Sequence, residues 1–179
     1  CSGGMHGANR LGGNSLSDLL VFGKLAGAGV SDYIKKLNQK PQIDDDQIKF
    51  IIRNATVILN REAGENPYLM HEKLVENMQN SVGIVRTEKL LSEGITKLED
   101  LKLSYKNIKA SGASQYNPGW HEALALRNLI ITAESVARSA LMREESRGAH
   151  TRVDFPGEKD DWLDYNVVIS KNEIGEMQT

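Results

Sequence analysis

WHEALALRNLIITAESVARSALMREES, residues 120–146, decides the fold class. Its apolar positions Leu124, Leu129, Ile130, Ala133, Val136, Ala137, Ala140 and Leu141 recur at intervals of three and four, which places them on one face of an α-helix. A long helix from about Trp120 to Ser146 follows. Three more helices precede it by the same reasoning. Asp44 to Ala63 carries Ile48, Ile51, Ile52, Val57 and Leu59, starts on carboxylates that complement the helix dipole and stops at Gly64. Asn66-Pro67 announces the next, with Leu69, Met70, Leu74, Val75 and Met78 on its stripe. A third begins near Thr87 and carries Leu90, Leu91, Ile95, Leu98, Leu101 and Leu103, with Gly94 as a weak point. Between it and the long helix, Ser111 to Gly119 holds two glycines and Pro118 and reads as a loop. Helices of this length joined by short turns pack antiparallel, so the stripes form the core of an up-and-down bundle.

The flanks differ in character. Before the bundle, Leu16, Leu19, Leu20 and Phe22, with Gly23, Ala26 and Gly27 beside them, suit a buried helix with a close-packing face, capped by Asn14 or Ser15. Pro41 and Asp44-Asp45-Asp46 interrupt that pattern and place a boundary near residues 36 to 43. After Gly148, Phe155-Pro156-Gly157 makes a turn, and Tyr165 to Ser170 alternates as a short docking strand. The domains expected are therefore 1–40, 41–150 and a tail, 151–179.

The densest chemistry lies ahead of the first helix, in His6-Gly7-Ala8-Asn9-Arg10-Leu11-Gly12-Gly13-Asn14-Ser15-Leu16. Glycines let backbone amides approach a ligand, a helix N-terminus presents unsatisfied N–H donors, and arginine offers a planar fork for carboxylate. Such a loop suits an anion, although an arginine that satisfies loop carbonyls fits the same residues. The spacing is neither the dinucleotide fingerprint nor the phosphate-loop motif. His6 reads as a proton shuttle or as a loop hydrogen-bonder. His71 and His121 have no second histidine at helical spacing, so the sequence offers no metal site. In the cluster Arg143 to Arg152, two readings stay open. One is helix termination at Gly148 with ion pairs to Glu144, Glu145 and Asp154; the other aims Arg147 or Arg152 at a ligand.

Composition narrows the classes. With 22 basic against 24 acidic residues, no basic excess argues for nucleic acid. Cys1 is the only cysteine, so neither an internal disulfide nor a cysteine metal cluster can form. Leu19 to Val30 and Leu124 to Ile131 are too short or interrupted to span a bilayer, which leaves membrane association to partners. A start at Cys-Ser-Gly-Gly, without a signal-like segment, reads as a cut through a larger protein.

Three ordered stretches carry a resemblance. Residues 6–16 with Val21-Phe22-Gly23-Lys24-Leu25-Ala26-Gly27, then Tyr116-Asn117-Pro118-Gly119-Trp120, then Glu145 to Pro156 resemble the last third of succinate dehydrogenase and fumarate reductase flavoprotein subunits. The resemblance implies a mainly α chain: the loop-plus-helix end of an FAD-binding domain, a helical bundle domain, and a short docking tail. It implies that Arg10 clamps a carboxylate of succinate or fumarate and that the backbone at Ser15 and Leu16 contacts the FAD ring. It assigns no catalytic residue here, leaves most FAD contacts to upstream sequence, and gives the cluster at 145–152 no catalytic step. It further implies an iron-sulfur protein partner and a cytoplasmic location, peripheral on the inner membrane face through partner subunits. Interconversion of succinate and fumarate by hydride transfer to or from FAD is the expected activity. An L-aspartate oxidase-like flavoprotein, or a non-catalytic helical module that docks an iron-sulfur partner, is the alternative.

Overall fold

The computed structural model describes His6 and residues 10–178. Among these lie five α-helices, α1 (Asn14–Lys36), α2 (Asp45–Asn60), α3 (Pro67–Ser81), α4 (Glu88–Tyr105) and α5 (Pro118–Met142). Four two-residue strands accompany them: β1 (Val85–Arg86), β2 (Thr151–Arg152), β3 (Ser170–Lys171) and β4 (Met177–Gln178). The chain divides into two compact units, Cys1–Ile48 and Lys49–Thr179.

In the second unit α3, α4 and α5 each pack against the other two. Leu91, Leu98, Leu126 and Ala137 are fully or almost fully buried at their centre, with Met70, Leu74 and Ile130 around them. Local chemistry sets the helix starts. The Asn66 side chain accepts from the amide of Tyr68 at 2.9 Å, that of Thr87 from Leu90 at 3.2 Å, and that of Asn117 from Trp120 at 2.9 Å. Pro67 and Pro118 occupy first helical positions, where no amide hydrogen is needed. The loop expected to reach Gly119 therefore ends at Asn117, because Pro118 opens the helix rather than blocking it.

Two expected stripes are mostly exposed. On α2, Ile48, Ile51, Ile52 and Val57 are exposed, while Leu59 packs against the core beside Ile58, the one fully buried residue of that helix. The first helix, expected to be buried, has no buried residue; Leu16, Leu19 and Leu20 are each more than 70% exposed. A Cβ added at Gly23 or Gly27 would meet nothing within 4 Å. The periodicity marks a face suited to burial, but no described element covers it.

Gly94 is a contact point rather than a weak point. A Cβ there would lie 2.8 Å from Ser81 Cβ and 3.2 Å from Val82 Cγ2, so glycine permits the close crossing of α3 and α4. Buried Asn77 donates its side-chain N–H to the Gly94 carbonyl at 2.9 Å across the same crossing.

The chain after α5 is organised by a polar cluster. The guanidinium of Arg152, 1% exposed, donates to the carbonyls of Ala140 at 3.1 Å, Leu141 at 3.0 Å and Arg143 at 3.3 Å. It also forks onto Asp154 through two 2.8 Å bonds and lies over the Phe155 ring. These donors satisfy the last carbonyls of α5, so the helix stops at Met142, four residues before the expected end. Gly148, with φ of 60°, is not the cap. It forms the tight turn whose ends, Arg147 and His150, exchange backbone hydrogen bonds of 2.9 and 3.0 Å. Fully buried Glu145 accepts from Arg147 at 3.0 and 3.1 Å, from Arg143, and from the Lys159 amide at 2.9 Å. The Arg147 guanidinium, against the cost of burial, brings the Glu145 carboxyl down to about 2.

Parallel pairing of β1 with β2 sets Arg86 opposite Arg152. Arg86 donates to Nδ1 of His150 at 2.6 Å while Nε2 of His150 donates to the Arg143 carbonyl at 3.1 Å, the pattern of a neutral imidazole. Burial and then the guanidiniums of Arg86, Arg152 and Arg143 push that imidazole below its ordinary value. The tail ends in an antiparallel hairpin of β3 and β4. Of the strand expected over Tyr165 to Ser170, only Ser170 is in a strand. Residues 165–169 make no ladder, and Tyr165 and Val168 stay exposed.

Substituting Gly94→Ala is expected to lower stability in urea unfolding by about 1–3 kcal/mol through overpacking, despite a helix-propensity gain of about 1 kcal/mol. Adding Ser81→Gly should restore most of that loss; no recovery would show that the crossing does not limit residue size. Arg152→Met should cost about 3–5 kcal/mol by stranding Asp154 and the α5 carbonyls, and Arg152→Lys, lacking the planar fork, should recover only part. Because the folded Glu145 carboxyl sits below its ordinary 4.5, its stabilisation is complete above that pH and lost as pH falls toward about 2. Acid titration of Glu145→Gln should give a shallower decline across that window, and an unchanged decline would contradict the pairing.

Candidate functional site

The first unit holds the sequence-predicted site. Gly13 precedes α1 in the left-handed region, with φ of 86°, which favours glycine. A Cβ at Gly12 or Gly13 would meet nothing within 4 Å, so the backbone here borders open space. The Asn14 amide donates to the Leu11 carbonyl at 3.4 Å and closes the turn. Neither Asn14 nor Ser15 caps the helix as expected. Both lie within it, Gly13 takes the cap position, and among the described residues no side chain accepts from the first-turn amides. Among those residues the positive end of a 23-residue helix thus has no side-chain acceptor.

Arg10 is exposed three residues before that cap position, and among the described residues no carboxylate lies within ion-pair distance of it. Ser15 is half-buried in the first turn, and the Leu16 side chain is 72% exposed. Arg10 thus precedes, and Ser15 and Leu16 lie within, the first turn of α1. His6 Nε2 lies 2.6 Å from Asp18 Oδ2, a contact between two partly exposed side chains. Sequence reasoning does not single out Asp18; a carboxylate just past the first turn of a glycine-led helix is the signal that could. Gly7, Ala8 and Asn9 lie outside the described residues, as do Cys1 and its neighbours up to Met5.

The other candidates resolve differently. Arg147 and Arg152 are both committed to carboxylates, Glu145 and Asp154, and neither fork is free for a ligand. His71 is hydrogen-bonded to Glu122 of α5. Among the described residues no group of three metal-ligating side chains converges, and no helix is long and apolar enough to cross a membrane.

Chemically, an exposed guanidinium beside an uncapped helix N-terminus suits a carboxylate on the fork and an electron-rich group on the amides. Residues 71–179 match the family described as fumarate reductase flavoprotein C-term. The chain is 36% identical over 166 residues to one subunit of the fumarate reductase (CoM/CoB) of Methanothermobacter marburgensis, covering 90% of this chain and 29% of that protein. It is 34% identical over 165 residues to the succinate dehydrogenase flavoprotein subunit of Rickettsia bellii, covering 91% and 28% respectively. Its structure superposes on a chain of the apo Mycobacterium smegmatis Sdh1 complex with a TM-score of 0.87 and 45% identity, covering 90% of this chain and 27% of that one. The chain thus spans less than a third of the length of these relatives. Mainly helical, with a matched domain built around α3, α4 and α5, it belongs to the succinate dehydrogenase/fumarate reductase flavoprotein family and corresponds to the carboxyl-terminal region of those subunits.

Proposed function

We propose that this chain forms part of a flavin-dependent oxidoreductase that interconverts succinate and fumarate, and that Arg10 clamps a carboxylate of the dicarboxylate substrate. The observation that carries the reading is the exposed guanidinium of Arg10, three residues ahead of an uncapped, glycine-led helix N-terminus, in a member of this family. Residues 1–40 would close an FAD-binding domain, 41–150 form the helical domain, and 151–179 the tail. The arrangement suits FAD on an observation of its own. Among the described residues the first turn of α1 has no side-chain cap, and none of them crowds the backbone at Gly12 and Gly13. When bound, FAD supplies the hydride acceptor or donor.

This chain's residues bind and orient. The Arg10 fork fixes one carboxylate and thereby the reacting carbons, a positioning effect that converts binding energy into alignment. The first-turn backbone at Ser15 and Leu16 would offer amide donors and the positive helix end to a bound flavin, a setting that would favour its electron-rich form. An iron-sulfur protein subunit is the proposed electron partner, with the assembly cytoplasmic and peripheral on the inner membrane face.

In the intact flavoprotein, Arg10→Ala should reduce kcat/KM for succinate or fumarate at least about thirtyfold, the equivalent of losing about 2 kcal/mol of charged hydrogen bonding. Arg10→Lys should restore the charge but only part of the rate, because a lysine cannot form the planar fork. Turnover of the alanine variant close to wild type would defeat the assignment. Faster turnover of L-aspartate than of succinate by the wild-type protein would replace it with the oxidase reading.

A further inference from the structure

A cavity of about 530 Å³ opens between the end of α4, the middle of α5 and the β3–β4 hairpin. Its apolar lining comes from Ile130, Ile131, Ile169 and Met177. The hairpin meets α5 there: the hydroxyl of Ser135, which donates to the Ile131 carbonyl at 2.9 Å, lies 3.7 Å from the Met177 sulfur. Four cations line the same space: Lys102, Lys106, Arg127 and Lys171. The single acidic residue in the lining, Glu134, is 2% exposed and already accepts from Lys102 at 2.8 Å and from Arg138 at 2.9 Å. Among the described residues no carboxylate lies within ion-pair distance of Lys106, Arg127 or Lys171. Three uncompensated cations thus face one cavity in a chain whose net charge is −2.

Surface lysines and arginines are ordinarily interspersed with acidic neighbours, and like charges gathered on one rim repel one another unless an anion sits among them. The apolar part of the lining has a separate requirement, since it gains only from covering by apolar surface. One occupant meets both. A volume of this size lies within the range of small-molecule sites, and three separate elements wall it, unlike a flat protein-docking face.

We propose that this cavity is a binding site for an amphiphilic organic anion, with an acyl-like apolar body on Ile130, Ile131 and Met177 and a doubly charged head, such as a phosphate monoester, among Lys106, Arg127 and Lys171. The site lies wholly within the second unit and shares no residue with the set proposed to hold dicarboxylate. The occupant would touch both α5 and the β3–β4 hairpin.

Calorimetric titration of the intact protein with octyl phosphate tests this, with inorganic phosphate and octyl glucoside supplying the charge alone and the apolar body alone. Octyl phosphate should saturate at one equivalent and bind at least tenfold tighter than either control. The double substitution Lys106→Gln with Arg127→Gln should weaken it at least tenfold. Lys73→Gln with Lys97→Gln, on another face, should leave it unchanged. Ile131→Asp, at a position already 41% exposed, should abolish octyl phosphate binding while the protein stays folded by circular dichroism. Equal affinity for octyl phosphate and inorganic phosphate, unsaturable uptake, or binding indifferent to the Lys106 and Arg127 substitutions would each overturn the proposal. Preferential binding of an acidic peptide over octyl phosphate would also overturn it, in favour of a protein-docking groove.

Discussion

The second unit depends on how one buried guanidinium is satisfied. An arginine removed from water costs several kcal/mol unless its donors find acceptors, and Arg152 finds three carbonyls at the end of α5 and both oxygens of Asp154. The same Asp154 accepts from the first amide of α4, Glu88, at 2.7 Å. One ion pair therefore joins the C-terminus of the longest helix to the N-terminus of its main packing partner. The Asp154 carboxyl is held far below its ordinary range mainly by Arg152, so the pair stays charged wherever the protein is folded. Around it the β1–β2 register, the neutral His150 bridge and the Glu145 cluster fix where the tail leaves the bundle.

This cluster explains why a segment dense in arginine is not a ligand site. Three of its guanidiniums, Arg143, Arg147 and Arg152, pair with Glu145 or Asp154, while Arg86 donates to backbone carbonyls and to His150. Arg10 presents the opposite arrangement, a guanidinium with no acidic neighbour among the described residues beside a helix end with no cap. In one the charges cancel within the fold; in the other the guanidinium is exposed with no acidic neighbour among the described residues. That contrast is what the proposed role of Arg10 rests on.

Much of this is legible in the sequence because it is local. Asn66-Pro67, Thr87 and Asn117-Pro118 mark helix starts whose caps depend on residues two or three positions away, and the structure places all three helices accordingly. The glycine-led start of α1 is legible too, although Gly13 rather than Asn14 or Ser15 takes the cap position. What fails to show is long-range. The end of α5 is decided by Arg152, ten residues beyond Met142, and Gly94 matters because Ser81 crosses it from another helix. The stripes on α1 and α2 are visible, but a stripe states that a face is apolar and not what covers it. The cavity cations are invisible for the same reason, since Lys106, Arg127 and Lys171 converge only in three dimensions.

The most direct test is a structure of the intact flavoprotein with malonate, a non-reacting dicarboxylate, in its site. The Arg10 guanidinium should fork onto one malonate carboxylate within hydrogen-bond distance, with the amides of Ser15 and Leu16 turned toward the flavin. Malonate held entirely by other residues, with Arg10 pointing to solvent or bonded only to its own loop, would contradict the clamp.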